Sequence, residues 1–396
     1  MTLNDVCEFI VDCPHSTAKD EGAGYPLIRT PNVGRGRLIL IDVHRVSEEV
    51  YKKRNSRATP QDDDLIIARE APAGNVAIIK NGEKVCLGQR TVLLRPNRKK
   101  ACPDYLVYYL LAPQQQYGLL GTANGATVAH VNIPVIKMLP VSLPSINEQK
   151  KIADILIGYD DLIETNQNQI KLLEEAAQRL YREWFVDLRY PGHENAAVVD
   201  GVPEGWTRCA LDDVIEFNPK VLLSKDRIKQ CVPMSALNTQ AMTLDRSEFT
   251  ATVSNSGSKF QNGDTLLARI TPCLENGKTG FVSGIESNEG AVGSTEFIVM
   301  RSKQINPYMV YLLARTDDFR QTAINSMTGS DGRQRAQPDK IRTYPYLLPS
   351  KEIIDLFGDI ASSVFEEIKE KNQQNKELRE ARDRLLPKLM SGEIAV

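Results

Sequence analysis

The run NGKT (Asn276 to Thr279) is the first place in this 396-residue chain where residue types and spacing suggest chemistry, since it looks like the end of a phosphate-binding loop. Such a loop needs a glycine five residues before Gly277 so that its backbone can wrap a phosphate, and Pro272 stands there. The run therefore reads as a simple turn. No Gly-x-Gly-x-x-Gly follows a strand, and there is no His-Glu-x-x-His, no Gly-x-Ser-x-Gly and no Asn-Pro-Pro-aromatic element of an amino-methyltransferase. The four histidines (His15, His44, His130, His193) fall in separate segments, where surface or core positions explain them better than general-base roles. Seven cysteines, odd in number and never spaced Cys-x-x-Cys, point to reduced thiols in a cytoplasm and to neither a disulfide framework nor a metal site. The basic run RPNRKK (Arg95 to Lys100) either lies against phosphates or is a solvated turn.

The elements that would position any site come from an internal repeat. LNDVCEF (Leu3 to Phe9) pairs with LDDVIEF (Leu211 to Phe217), and DLIIAREAP (Asp64 to Pro72) with DTLLARITP (Asp264 to Pro272). YLVYYLLA (Tyr105 to Ala112) resembles PYMVYLLA (Pro307 to Ala314). From Leu143 the register locks: residues 143–189 align without a gap on 348–394, with 13 identities in 47 positions. Each copy opens on Leu-Pro-Ser and continues as a polar segment with apolar residues at 3-4 spacing, the pattern of a coiled-coil seam. The first stripe holds Leu156, Tyr159, Ile163, Ile170, Leu173 and Leu180, and the second Val364, Ile368, Leu378 and Leu385. Asn166, Lys371, Asn375 and Arg382 interrupt the stripes, and polar groups at such places can fix register or orientation.

The stripes serve either to pack each helix onto its own globular part or to pair the helices, and the shared register favours pairing. Asn147 or Ser145 is the expected cap of the first helix and Ser350 of the second, and Pro387 is expected to end or kink the second. Trp184 and Phe185, in REWFVD, serve either packing on the next domain or contact with a partner subunit.

Composition agrees with a multi-domain globular protein: 41% hydrophobic, 25% charged, net charge −2, and no apolar run near membrane-spanning length. Met1 leads into LNDVCEF without a basic-then-apolar secretory signal. Residues 1–142 hold 18 Lys+Arg against 14 Asp+Glu, whereas residues 143–206 hold 6 against 12, so a mildly basic globular part precedes an acidic helical one. That excess is too small to diagnose a nucleic-acid partner by itself. The chain divides into a first globular domain (1–142), a central helical region (143–190), a linker (191–205), a second globular domain (206–347) and a C-terminal helical region (348–396).

With the repeat, the helices and the missing catalytic motifs in hand, the chain resembles the specificity subunit of type I restriction-modification systems. The resemblance covers essentially the whole sequence and is carried by LPSINEQKKIADIL (Leu143 to Leu156) with its helix to REWFVD, by VPEGWTRCALDDV (Val202 to Val214) and by RDRLLPKLMSGEI (Arg382 to Ile394). It implies an α+β fold: two α/β target recognition domains alternating with two long helices that pair as an antiparallel coiled coil, in pseudo-two-fold repeat. It implies a non-catalytic, cytoplasmic protein that binds double-stranded DNA at an asymmetric bipartite site. It further implies two modification subunits carrying S-adenosylmethionine, which methylate adenine, and restriction subunits using ATP and Mg to translocate and cut DNA. No cofactor or metal is expected in this chain. A stand-alone DNA-binding regulator dimerising through its helices is the alternative. A single-chain methyltransferase-nuclease has no room here for its cofactor domain.

Under that resemblance, base edges are read by Arg, Lys, Asn and Gln, and phosphates by further basic and hydroxyl groups. Motif residues common to both halves, Arg69 and Arg269, are expected to serve scaffold or phosphates. Discrimination is expected where the halves differ: Arg29, Asn32, Arg35 and Arg37 in IRTPNVGRGR, then Gln89 and Arg90, and His130 in GATVAHVN. In the second half it falls on Lys259 in NSGSKFQ, on Gly293 to Thr295, and on Arg333, Gln334 and Arg335 in GSDGRQRAQ.

Overall fold

The computed structural model describes residues 1–41, 43–121, 130–330 and 332–396. Contacts gather the chain into two compact units, one made of Met1–Glu164 with Asn375–Val396 and the other of Thr165–Gln374. Each unit thus takes a stretch of both long helices.

The first unit is built on a five-stranded sheet in the order Cys7–Asp12, Thr91–Pro96, Leu65–Ala68, Val76–Ile78, Gly36–Arg37. The neighbouring strands are antiparallel except the last pair, Gly36–Arg37 on Ala77–Ile78, which is parallel. Leu65–Ala68 is buried on both faces, which explains its unbroken apolar reading. A smaller sheet joins Tyr25–Ile28 to Arg45–Val46 and, in parallel, to Cys86–Leu87. The helix Pro103–Leu111 closes the core with eight buried side chains.

The second unit repeats this plan. Ile215–Phe217, Phe297–Ser302, Thr265–Ala268 and Thr279–Phe281 follow the same strand order, and Thr243 bridges Phe281 in parallel where the first unit has its fifth strand. Lys229–Val232 lies parallel to Ala291–Gly293, as Tyr25–Ile28 lies to Cys86–Leu87. The same bidentate ion pair pins both sheets. Asp64 receives Arg95 Nε and Nη2 at 2.8 and 2.7 Å, and Asp264 receives Arg301 Nε and Nη2 at 2.7 and 2.7 Å. The duplication read in the sequence is thus a duplication of topology and of buried electrostatics.

The first long helix runs Ile146–Tyr181 and continues as a π-helical turn, Arg182–Val186. Ser145 is its cap in a capping box: Ser145 Oγ accepts from the Glu148 N–H at 3.4 Å, and the Glu148 carboxylate accepts from the Ser145 N–H at 3.0 Å. The second runs Lys351–Ser391 and does not stop at Pro387; it continues to Ser391, with Leu386 and Leu389 buried on either side of the proline. In the last turn the lost N–H leaves few carbonyls wanting, so burial outweighs the defect.

The helices pair antiparallel within each unit. In the first, Leu156 shares a core with Leu386 and Leu389 while Asp160 meets Arg382; in the second, Asn166 meets Gln374 and Tyr181 packs on Phe357. Of the seam residues, Leu156, Ile163, Ile170 and Ile368 are buried, and Tyr159, Leu173, Leu180, Val364, Leu378 and Leu385 half-buried. Trp184 and Phe185 are also buried, against Phe357 and Trp206 of the second unit, so their aromatic surface is spent on packing. Among the described residues no helix is long and apolar enough to cross a membrane.

Candidate nucleic-acid interface

In the first unit the parallel pairing of Leu27 with Cys86 and Ile28 with Leu87 brings two chain exits side by side. Arg29 leaves one strand and Gly88-Gln89-Arg90 the other, joined by a 2.7 Å bond from the Gly88 N–H to the Ile28 carbonyl. A Cβ at Gly88 would stand 2.9 Å from Arg29 Cγ, so only glycine lets the loops approach this closely. Next to them, the Arg69 N–H donates to the Arg90 carbonyl and the Arg69 carbonyl accepts from the Val131 N–H. Arg29, Arg69, Gln89, Arg90 and His130 therefore gather at one end of the sheet.

Two carboxylates organise that cluster. Arg69 donates Nε to the Val131 carbonyl at 2.9 Å and Nη1 to Asp12 at 3.3 Å, and its Nη2 lies 2.8 Å from His130 Nε2. A guanidinium has no acceptor, so His130 Nε2 is the acceptor, and the proton sits on Nδ1, which donates to Glu70 at 2.5 Å. Glu70 also takes Arg90, whose side chain stays 61% exposed and so keeps its outer face available to a ligand.

The neighbouring loop behaves differently. Asn32 is buried and its amide is used locally, accepting from the Arg29 N–H at 3.1 Å and donating to the Ile39 carbonyl at 3.1 Å. Arg35 is exposed, and Arg37 Nη2 pairs with Asp161 of the first long helix at 2.7 Å. The segment Gly125 to Ala129, from the first half's candidate stretch, lies outside the described residues, as does Asp331.

The second unit builds the same frame with other charges. The Arg269 N–H donates to the Glu296 carbonyl, and the Arg269 carbonyl accepts from the Ala336 N–H, matching Arg90 and Val131 around Arg69. Arg335 occupies the position of His130 and grips Glu296, with Nε 2.9 Å and Nη2 2.8 Å from its oxygens. That hydrogen bonding, with the charge of Arg335, holds the Glu296 carboxyl below its usual range. Thr328 and Arg335 exchange backbone hydrogen bonds, making a hairpin base from which Arg333 projects, exposed, with Gln334 half-buried. Lys259 sits apart on Ser258–Phe260, opposite Val292. The guanidinium Nε of Arg269 is buried and finds no hydrogen-bond partner among the described residues.

The run RPNRKK is mostly consumed by the fold: Arg95 binds Asp64, Arg98 binds Asp63, and Lys100 donates to the Asp5 carbonyl. Sequence reasoning passed over Glu70 and Glu296. Their signal was faint, since a single carboxylate near an arginine is common in any loop. It also passed over Asp160, which is buried, accepts from Tyr108 Oη at 2.5 Å, and pairs with Arg382 at 2.5 Å.

The family model described as type I restriction modification DNA specificity domain matches residues 1–175. The chain is 25% identical over 398 residues to the type I restriction enzyme MjaIX specificity subunit of Methanocaldococcus jannaschii, covering 97% of this chain and 87% of that protein. It is 22% identical over 399 residues to the HindI specificity subunit of Haemophilus influenzae, covering 84% of this chain and 86% of that one. The crystal structure of a type I restriction-modification system S subunit from M. genitalium aligns over 98% of this chain and 95% of that one, with a TM-score of 0.52 at 14% identity, a likeness of fold.

Proposed function

We propose that this chain, whose residues 1–175 match the type I specificity-domain model and which is similar along its length to a type I specificity subunit, reads DNA at an asymmetric bipartite site on behalf of partner enzymes. Each compact unit reads one half of the site. Modification subunits bearing S-adenosylmethionine methylate adenine within it, and restriction subunits driven by ATP and Mg cut DNA elsewhere. The chain itself supplies recognition and no catalysis.

The observation that carries this reading is one scaffold presenting two charge sets. At equivalent places around Arg69 and Arg269 the first unit offers Arg90 and His130, and the second offers Glu296 and Arg335. Identical frames with different polar surfaces suit two readers that see different bases, because base edges are told apart by donor and acceptor pattern. The paired helices then act as a ruler between the readers, and the unread gap is on the order of half to one helical turn of DNA.

The test is an adenine-methylation map of cells lacking other adenine methylation, with this chain co-expressed beside its modification subunit. A split, asymmetric motif that appears only with this chain is expected. No motif, with both proteins soluble and associated, would overturn the reading.

A further inference from the structure

The internal repeat provides its own control for a cavity in the second unit. In the first unit Arg382, half-buried in the helix seam, lays its guanidinium against the Asp160 carboxylate, to which Tyr108 also donates. In the gapless alignment of the two helical regions, Arg382 corresponds to Ala177 and Asp160 to Phe365; Tyr108 corresponds to Val310 in the alignment of the short helices. The second unit has therefore lost the cation, its carboxylate and the hydroxyl at once. Where they would stand is a cavity of about 220 Å³, lined by Ala177, Phe365, Tyr311, Arg315, Gln240 and Glu174 among others. The cavity is partly open to solvent and has room for a four-atom guanidinium head.

The wall of this cavity is suited to a cation. Glu174 lies three residues before Ala177 and so on the same helix face. Among the described residues it accepts a hydrogen bond from the Met242 N–H, at 2.8 Å, and no side chain is paired with it. Burial pushes its carboxyl up to about 7, against the pull of that bond and of the Arg315 charge. Arg315 is committed elsewhere, donating to the carbonyls of Thr239, Gly277 and Gln240. Lys171, at the rim and largely exposed, reaches Glu175 at 3.8 Å and leaves Glu174 alone. The rings of Phe365 and Tyr311, 5.9 Å apart and nearly perpendicular, add aromatic surface to the lining, and aromatic surface attracts cations.

We infer that the Glu174 cavity is a binding site for a guanidinium or alkylammonium group, supplied from outside the chain, which takes the place that Arg382 fills in the other unit. The group arrives either on an arginine or lysine side chain of a bound protein or as a small free cation. Its guanidinium donates to the free Glu174 oxygen and rests on the aromatic surface, as Arg382 rests on Asp160.

Agmatine, a guanidinium on a four-carbon stem, is the probe, titrated calorimetrically into the full-length chain. Saturable binding in the millimolar range is expected, weakened at least tenfold in Glu174→Gln. Ala177→Arg places the guanidinium on the chain itself, so it should abolish agmatine binding and raise Tm. The source is settled by assembly with the modification subunit: competition by agmatine, or weakened assembly of Glu174→Gln, assigns the cation to that protein, and binding of agmatine without either effect assigns a small free cation. Absence of saturable agmatine binding to the wild type, or equal binding to Glu174→Gln, overturns the site.

Discussion

Removing Arg382 should be among the most damaging changes in the first unit, although the residue reads as a mere interruption of an apolar stripe. Asp160 is 4% exposed and has two partners, Arg382 Nη1 at 2.5 Å and Tyr108 Oη at 2.5 Å. Breaking a buried pair by deleting one partner typically costs about 3–5 kcal/mol, because the other charge is stranded. The surviving Tyr108 bond, of a kind worth about 1.5–3 kcal/mol, keeps R382A near the lower end, about 3 kcal/mol. D160A costs less, about 1–2 kcal/mol, because the guanidinium keeps Asp383 at 2.9 Å. The double variant D160A/R382A removes the carboxylate and the guanidinium together and so strands neither charge. It should fall no further than R382A, a coupling of about 1–2 kcal/mol. Scanning calorimetry of the full chain reads this directly: at about 2–4 °C per kcal/mol for a unit this size, R382A lowers its transition by about 6–12 °C. A loss under about 1 kcal/mol for R382A, or additivity in the double variant, would refute the reasoning that burial and not mere proximity sets the strength of this pair.

Asp64 and Asp264, each 1% exposed, should prove equivalent: D64A and D264A each strand an arginine and cost about 3 kcal/mol in urea unfolding, within about 1 kcal/mol of each other. E296Q loosens Arg335 and with it the hairpin base, so binding to the second half-site weakens evenly across sequences, whereas R333A, if that side chain reads a base, costs about 1–3 kcal/mol and relaxes one position; competition with single-base variants separates the two. Inserting one heptad into each long helix adds about 10 Å and should lengthen the unread gap by about 3 base pairs with the bases unchanged, as a methylation map would show. Glu174 titrates near 7 in the fold, above an ordinary glutamate, so the folded state holds its proton more tightly than the unfolded one. Its contribution is complete below about pH 4.5 and is lost as pH rises through about 7, a fall of about 1–2 kcal/mol once partial solvent access is discounted, which E174Q should flatten in unfolding measured from pH 5 to 8.

The repeat was legible because its shared motifs are structural: the aspartates of DLIIA and DTLLA prove to anchor the same ion pair, and Leu-Pro-Ser precedes both long helices. Helix starts were legible too, since Ser145 and Glu148 sit at capping-box spacing. The Asp160–Arg382 tie was not, because its members lie 222 residues apart and only antiparallel pairing joins them. Nor does spacing tell which candidate readers are spent on the fold. Asn32 and Arg37 look as free in the sequence as Arg35, yet the first is locked into its own turn and the second is held by Asp161. Pro387 marks the end of the second helix only to within a turn: the helix runs on to Ser391, with Leu386 and Leu389 buried around the proline.

The first unit closes with residues from the far end of the chain, and that gives its biogenesis a schedule. Residues 1–164 emerge from the ribosome well before Asn375–Val396, with the whole of Thr165–Gln374 made between them. At about 5–20 residues per second the first unit waits on the order of 10–40 s for its last segment. Throughout that interval Asp160 lacks its arginine, and the apolar surface destined for Leu386 and Leu389 stays uncovered. The second unit, although made later, is complete in sequence first. A stop just before Asn375 would therefore injure the unit that holds residues 1–164, and a nascent chain in that window offers chaperones an exposed groove on that unit.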